Sequence, residues 1–270
     1  MFTFLFGILA GLAAAAGGYI WLQGIFFPAL FFLLAFFAVS TPINLWTKKK
    51  LEKYFQAVQQ DVEKSQAGIQ RQISQMQNKV MGSPKGLQRQ FEKQQANAIR
   101  EALKKMDEAE PLCRWNILAR KQINTFRAQM LFQIQEFEKA DQYFQNSFNA
   151  DAMTLAMKMA RHYKNGEQKK LEKAFKKGCR KFKGEKGVIL YALYSWVLVK
   201  QDRIDDAIAV LAQGKKKTED PVLEKNWEHL VNGRTKQFSN AGLGDTWYAL
   251  HLEQPKPAKA KRRGKKKRMR

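Results

Sequence analysis

Hydrophobic positions divide this chain into a continuous apolar start and a periodic remainder. Residues 1–47 carry no charged side chain, whereas one membrane-spanning helix needs only about 20 apolar residues. The stretch therefore predicts a two-pass transmembrane hairpin, with passes at roughly 2–22 and 25–46. A re-entrant wedge that does not cross the bilayer stays an alternative because Pro28 and Pro42 interrupt the second pass.

Side-chain size predicts how the two passes pack together. The first pass carries small residues three, four or seven positions apart, which let a neighbouring backbone approach closely, at Gly7, Gly11, Ala14 and Gly18. The second pass carries large aromatic residues at Phe26, Phe27, Phe31, Phe32, Phe36 and Phe37. We expect the small face of the first pass to lie against the phenylalanine face of the second.

Three lysines directly after the second pass predict the orientation. Lys48, Lys49 and Lys50 follow the apolar stretch, and basic residues beside a span favour the cytoplasmic side. Two passes return the N-terminus to that same side. The sequence thus predicts an integral membrane protein of the inner (cell) membrane, with residues 48–270 facing the cytoplasm.

A long juxtamembrane helix is expected over residues 48–81. Apolar or small residues recur there at steps of three and four, which is typical of a coiled coil. The helix should end at Gly82-Ser83-Pro84. Two arrangements remain open at this stage: packing against the next helix of the same chain, over 85–107, or a parallel homodimer through 48–81. The seam residues are Leu51, Phe55, Val58, Val62, Ser65, Ile69, Ile73, Met76 and Val80.

Beyond Pro111 the pattern changes to pairs of short helices. Pairs are expected around Gln135-Glu136, Asn165-Gly166 and Gln201-Asp202, with a last pair at 221–231 and 245–253. Asp245 or Thr246 would cap the final helix. The second helices of two pairs share one spacing of three, four and three, which places a small residue, a large residue and another small residue on one face. These residues are Ala140, Phe144 and Ser147 after Phe137, and Ala207, Leu211 and Gly214 after Ile204.

These two segments resemble tetratricopeptide repeats, which are helix–turn–helix units of about 34 residues. The three positions just given match the family's small, large and small positions of the second helix. The resemblance implies a TPR-like alpha solenoid over 85–253 that binds a protein partner. The layout of two spans followed by repeats is also similar to that of bacterial HemY-type membrane proteins.

Charge is concentrated in the C-terminal part of the chain. The chain has 48 Lys and Arg against 24 Asp and Glu, and a formal net charge of +24. Residues 254–270 should be disordered when free, because a block of like charges cannot bury a core. Such a tail favours anionic lipid or RNA, bound without sequence preference. Its basic residues are Lys256, Lys259, Lys261, Arg262, Arg263, Lys265, Lys266, Lys267, Arg268 and Arg270.

Motifs for catalysis, cofactor binding or metal binding are missing from the sequence. It has no glycine-rich phosphate loop and no zinc motif, its three histidines are isolated, and Cys179 falls on an apolar stripe. Acidic residues at Asp107, Glu108 and Glu110 are expected to form a solvated helix end. We therefore expect no enzyme and no cofactor. The sequence favours a membrane-anchored scaffold for a protein partner, and the alternative is a tether for ribosomes or nucleic acid through the basic tail.

Overall fold

The computed structural model describes residues 2–22, 26–77 and 84–255, and over these residues the chain is helical with no strand. The all-α class expected from the sequence is confirmed for this part of the chain. The chain divides into two compact units, Met1–Ala150 and Asp151–Arg270. This division falls inside the range 85–253 that the sequence predicts as one repeat domain.

Unit 1 begins with two apolar helices. Helix α1 covers Phe2–Leu22, and helix α2 covers Phe26–Gln77, which at 1.5 Å per residue makes it about 78 Å long. Helix α2 passes through Pro42 without ending, so the second apolar pass and the juxtamembrane helix are one element. A proline inside a helix removes one backbone hydrogen bond, and here that loss does not interrupt the helix.

Small residues of α1 lie directly against large residues of α2. A Cβ atom added to Gly7 would lie 2.4 Å from Ser40 Oγ, and one added to Gly11 would lie 2.6 Å from the Phe32 ring. Gly18 is similarly close to the ring of Phe31. The expected packing of a small face on a phenylalanine face is therefore present, since no larger side chain fits at these positions.

The remaining helices of unit 1 pack around the C-terminal half of α2. They are α3 (Pro84–Lys104), a 3₁₀ segment (Lys105–Arg114) and α4 (Ile117–Gln133), which contact α2, and α5 (Phe137–Gln145), which packs on α4. Three residues of the predicted heptad seam lie in the resulting core and are almost inaccessible, namely Leu51, Val58 and Val62. The structure thus has the intramolecular arrangement at these residues. A homodimer through 48–81 stays a prediction, and residues 78–81 lie outside the described part.

Two of the exposed acidic residues before Pro111 also form ion pairs with a buried arginine. Arg127 of α4 is only 7% exposed, and its Nη2 and Nη1 donate to Asp107 at 2.5 Å and to Glu110 at 2.9 Å. Asp107, Glu108 and Glu110 are all exposed, as the sequence predicts, and the sequence misses only the buried arginine that pairs with two of them. The sequence could not show this because the partner lies 20 positions away.

Unit 2 is built around one apolar helix, α8. Residues 188–198 of α8 are all buried, and the helix packs on α6, α7, α9 and α10. Short 3₁₀ turns connect some of the helices. The helices of this unit are α6 (Ala152–Lys164), α7 (Gln168–Lys181), α8 (Val188–Lys200), α9 (Ile204–Thr218), α10 (Pro221–Val231) and α11 (Asp245–Tyr248).

One turn geometry recurs along the chain. After four helices, one residue adopts a left-handed conformation, and the next backbone N–H donates to the carbonyl five residues earlier, which is the Schellman motif. The left-handed residues are 31, 36 and 31 positions apart, and three of them lie at the predicted helix pairs. They are Gln135, Gly166, Asp202 and Gly233, with φ of 62°, 71°, 59° and 67°, and the hydrogen bonds are Glu136 to Leu131, Glu167 to His162, Arg203 to Leu198 and Arg234 to His229, at 2.7–2.9 Å.

In three helix pairs, residues that pack in the second segment lie at the same distances in sequence from the left-handed residue, and we call this spacing the packing frame. Counting five, nine and twelve positions from the left-handed residue reaches Ala140, Phe144 and Ser147 in the first pair, and Ala207, Leu211 and Gly214 in the third. The same count reaches Leu171, Phe175 and Gly178 in the second pair, and all three are buried. Only a small residue fits at Gly178, because an added Cβ would lie 2.6 Å from Leu155 Cδ2.

Two predicted helix ends are wrong. Helix α5 ends at Gln145, so Ser147 lies beyond it, where its hydroxyl donates to the Phe144 carbonyl at 3.0 Å. The final helix stops at Tyr248 instead of 253, and Gly244 occupies its N-cap position in place of Asp245 or Thr246. The chain turns there because His251 adopts a left-handed φ of 53°.

Candidate anchor surface and cationic helix face

The apolar hairpin leaves most of its large side chains uncovered. Both α1 and α2 contain a stretch long and apolar enough to cross a membrane, yet only 22% and 6% of these stretches are buried. Exposure reaches 79% at Ile20 and 60% at Phe37. Soluble proteins rarely present a continuous apolar surface of this kind, and such surfaces are typical of sites that contact a membrane or another protein.

An aromatic cluster lies where the two apolar stretches meet the rest of unit 1. The ring of Trp115 lies 5.5 Å from Phe2 and 6.2 Å from both Phe6 and Trp46, measured between ring centroids. The Thr3 hydroxyl donates to the Trp115 carbonyl at 2.5 Å. The start of α1 and the end of the apolar part of α2 therefore lie side by side.

Exposed lysines adjoin this aromatic cluster. Lys48, Lys49 and Lys50 are all exposed on α2, two to four residues after Trp46. The Lys50 ammonium lies 5.1 Å from the centre of the Trp46 ring, which is a cation–π distance. The apolar part of the hairpin thus ends at a group of aromatic and basic side chains, Trp46, Trp115 and Lys48–Lys50, which we call the collar.

In unit 2, helix α7 presents a strongly basic outer face. Its apolar side contributes Leu171, Phe175 and Gly178 to the core. The opposite side lines an open surface depression with six basic residues and one acidic residue, and no aromatic or aliphatic side chain is among them. They are Lys169, Lys173, Lys176, Lys177, Arg180, Lys181 and Glu172.

The positive charge of this face is mostly uncompensated. Glu172 pairs with Lys176 at 2.5 Å, whereas Lys169, Lys173 and Lys177 form no ion pair with any residue that the structure describes. Burial and the neighbouring Lys177 charge lower the pKa of Lys158, on the adjacent α6, to about 8. Burial is the larger of these two causes, and the charge of Lys177 adds to it.

Neither cysteine has the properties of a nucleophile. Burial raises the pKa of the Cys113 thiol and of the Cys179 thiol, so both stay protonated at neutral pH. Cys179 lines a small cavity with Tyr191 and Lys217, and burial also raises the pKa of the Tyr191 hydroxyl. Within the described ranges, no cluster of three or more His, Cys, Asp or Glu side chains could hold a metal ion.

The structure places the sequence-predicted site residues in two different situations. The repeat-defining residues lie in the packed interior, with Ala140, Ala207 and Leu211 fully inaccessible and Ser147 half-buried. Such residues shape the packing within the helix pairs. The predicted polyanion-binding residues all belong to 256–270 and lie outside the described residues.

Comparison of this chain with family models, with curated proteins and with solved structures gives no match.

Proposed function

We propose that this chain is an integral membrane protein that holds a helical domain at the cytoplasmic membrane surface, where it serves as an adaptor for a protein partner. The exposed apolar surface of the α1–α2 hairpin carries this proposal. A soluble protein would cover these side chains with its own helices, and a bilayer would cover them here. The collar of Trp46, Trp115 and Lys48–Lys50 has the composition found at a membrane interface.

The adaptor role is supported by the repetition in the helical part. Four Schellman turns at intervals of 31 to 36 residues, and three helix pairs with one packing frame, are what a TPR-like array requires. Arrays of this kind present extended surfaces to other proteins. The alternative function is a tether for ribosomes or nucleic acid, and the basic composition of 256–270 favours it.

Membrane insertion can be tested by extraction of cell membranes at alkaline pH. We expect the full chain to stay in the membrane pellet and a variant lacking residues 2–46 to be released. A reporter fused after Arg270 should be accessible only from the cytoplasm. Release of the full chain would contradict the anchor, and a reporter on the outer side would contradict the orientation.

The partner class can be tested by proximity crosslinking in cells that carry either the full chain or a variant lacking residues 256–270. An adaptor that holds its partner through the repeats should keep its crosslinked protein when residues 256–270 are deleted. A tether should lose its partner with that deletion. Loss of the crosslinked protein would therefore replace the first function by the alternative one.

A further inference from the structure

We infer that the outer face of α7 binds the phosphate backbone of a nucleic acid, so that a second polyanion site exists apart from the basic tail. Lys169, Lys173, Lys177 and Arg180 follow one another at steps of four, four and three along one side of the helix. At 1.5 Å per residue this row is about 16 Å long. The inference rests on the proposed cytoplasmic placement of unit 2 only for its role in the cell.

The charge balance of the face calls for an anionic partner. Six cations stand against Glu172 alone, and this carboxylate already accepts from Lys176. Mutual repulsion within such a row falls when negatively charged phosphates lie between the cations. Each phosphate contact also releases condensed counterions from the nucleic acid, which favours binding further.

A lipid bilayer fits the α7 face less well. Helices that bind a membrane surface bury an apolar side in the headgroup region. The apolar side of α7 is already used inside unit 2, where Leu171 is 0% and Phe175 is 6% exposed. The face that solvent can reach offers only charged side chains, so it has nothing to insert.

A protein partner fits this particular face less well than a nucleic acid. The energetically important centres of protein interfaces are rich in Tyr, Trp and Arg and poor in Lys. Five of the six cations on this face are lysines, and no aromatic residue accompanies them. Backbone phosphates need only cations of this kind, and the lack of stacking or base-reading side chains predicts binding without sequence preference.

The test uses the full chain in nanodiscs of zwitterionic phosphatidylcholine and a fluorescent mixed-sequence RNA of about 20 nucleotides. Variant K169Q/K173Q/K177Q removes three charges from the face. Variant K225Q/R234Q/K236Q removes three charges from exposed positions elsewhere in unit 2 and is the matched control. Fluorescence anisotropy gives the Kd at several salt concentrations, and crosslinking with thiouridine-substituted RNA maps the contact peptides.

We expect the α7 variant to bind about 100-fold more weakly near 0.1 M salt, with a salt slope smaller by about 2, because each single-strand phosphate contact contributes about 0.7 to the slope. The control should change Kd by less than about threefold, and single-stranded DNA should bind like RNA. Crosslinks should fall in 168–181 as well as in the tail.

Equal losses in both variants would overturn the inference, because they would reflect net charge alone. Crosslinks confined to 256–270 would overturn it as well. The inference would also be overturned if K169Q/K173Q/K177Q kept its affinity for RNA but lost binding to phosphatidylglycerol vesicles or to polyglutamate. The nanodisc assay does not depend on orientation in the cell. A reporter on the outer side would therefore refute the proposed function without changing the result for nucleic-acid binding by the α7 face.

Discussion

Helices α1 and α8 are both almost wholly apolar, and their surroundings are opposite. In α8 every residue from 188 to 198 is buried against four neighbouring helices. In α1 only Thr3, Gly7, Gly11 and Gly18 are buried among the described side chains, all on the stripe that faces α2 or Trp115. The larger residues of α1 point outward.

The difference shows that an apolar composition indicates that the side chains of a helix must be shielded from water. It does not indicate whether other helices or lipid shield them. A helix apolar on all sides is either a core helix or a membrane span. In α8 the cover comes from α6, α7, α9 and α10. In α1 the described chain supplies only one narrow stripe, and the rest of the cover falls to lipid in the function that we propose.

Introducing a carboxylate should separate the two environments most strongly. Leu193→Asp in α8 places a charge at a 0% exposed position without a partner, and we expect a loss of more than about 4 kcal/mol and failure of unit 2 to fold. Near-UV circular dichroism and limited proteolysis of the full chain in detergent would show this. Val231→Asp, at a 50% exposed position of α10, is the control and should stay within about 0.5 kcal/mol.

The same carboxylate in α1 should have another effect. Leu9→Asp, at a 55% exposed position, should leave the proteolysis pattern of unit 2 unchanged and weaken membrane insertion by about 3 kcal/mol. If Leu9→Asp unfolds unit 2, or if insertion is unaffected, the contrast between the two helices is wrong.

Enlarging a glycine tests the narrow stripe of α1. Gly11→Leu should force α1 and α2 apart, since even a Cβ would lie 2.6 Å from the Phe32 ring, and we expect a loss of about 2–3 kcal/mol. Gly17→Leu is the matched control, because nothing lies within 4 Å of its added Cβ. Thermal unfolding in detergent and crosslinking between cysteines placed in α1 and α2 measure the effect. Equal behaviour of both variants would refute the packing.

Removing Glu253 tests how the C-terminal segment of unit 2 is held. Its two carboxylate oxygens accept from Trp196 Nε1 at 2.8 Å and from Trp247 Nε1 at 2.9 Å. Glu253→Ala should therefore cost about 2 kcal/mol and shift the tryptophan fluorescence to longer wavelength as the indoles meet water. Glu228→Ala, at an exposed position of α10, serves as the control. An unchanged emission spectrum would contradict the hydrogen bonds of Trp196 and Trp247 to Glu253.

The smallest expected effect is a pH dependence from Lys158. Its folded pKa of about 8 lies below the ordinary value of 10.5, so the unfolded chain binds more protons between these values. The free energy of unfolding should therefore rise as the pH increases from 8 to 10. We expect a gain of about 1 kcal/mol, because a partly buried group is screened by solvent. Lys158→Met should flatten this rise, and an unchanged slope in the variant would contradict the assignment.

Several features could be predicted from local pattern alone. The all-helical class, the two apolar N-terminal helices and the three helix pairs each depend on residues within a few turns of one another, which periodicity reports directly. The seam of Gly7 and Gly11 against phenylalanines was also predictable, because side-chain size alone decides how closely two helices approach.

Other features could not be predicted, because they depend on partners distant in the sequence. The ion pairs of Arg127 with Asp107 and Glu110 need a helix and a 3₁₀ segment to come together. Helix α11 ends at Tyr248, and the segment after it is held by Glu253, which accepts a hydrogen bond from Trp196, 57 positions away. The row of cations on one side of α7 is a local feature of the sequence, whereas the burial of the opposite side depends on contacts with α6 and α8.

By itself, the sequence determined most of the helical segments, three of the four Schellman turns and which faces are apolar, because these follow from backbone preferences and side-chain spacing. Only the tertiary structure decided what covers each apolar face. It buried α8 completely, left α1 covered along one stripe, and turned the heptad seam of α2 inward at Leu51, Val58 and Val62. The reason is physical: burial depends on which elements meet in space, and a periodic pattern is the same whether the neighbour is a helix of the chain, a second copy or a lipid.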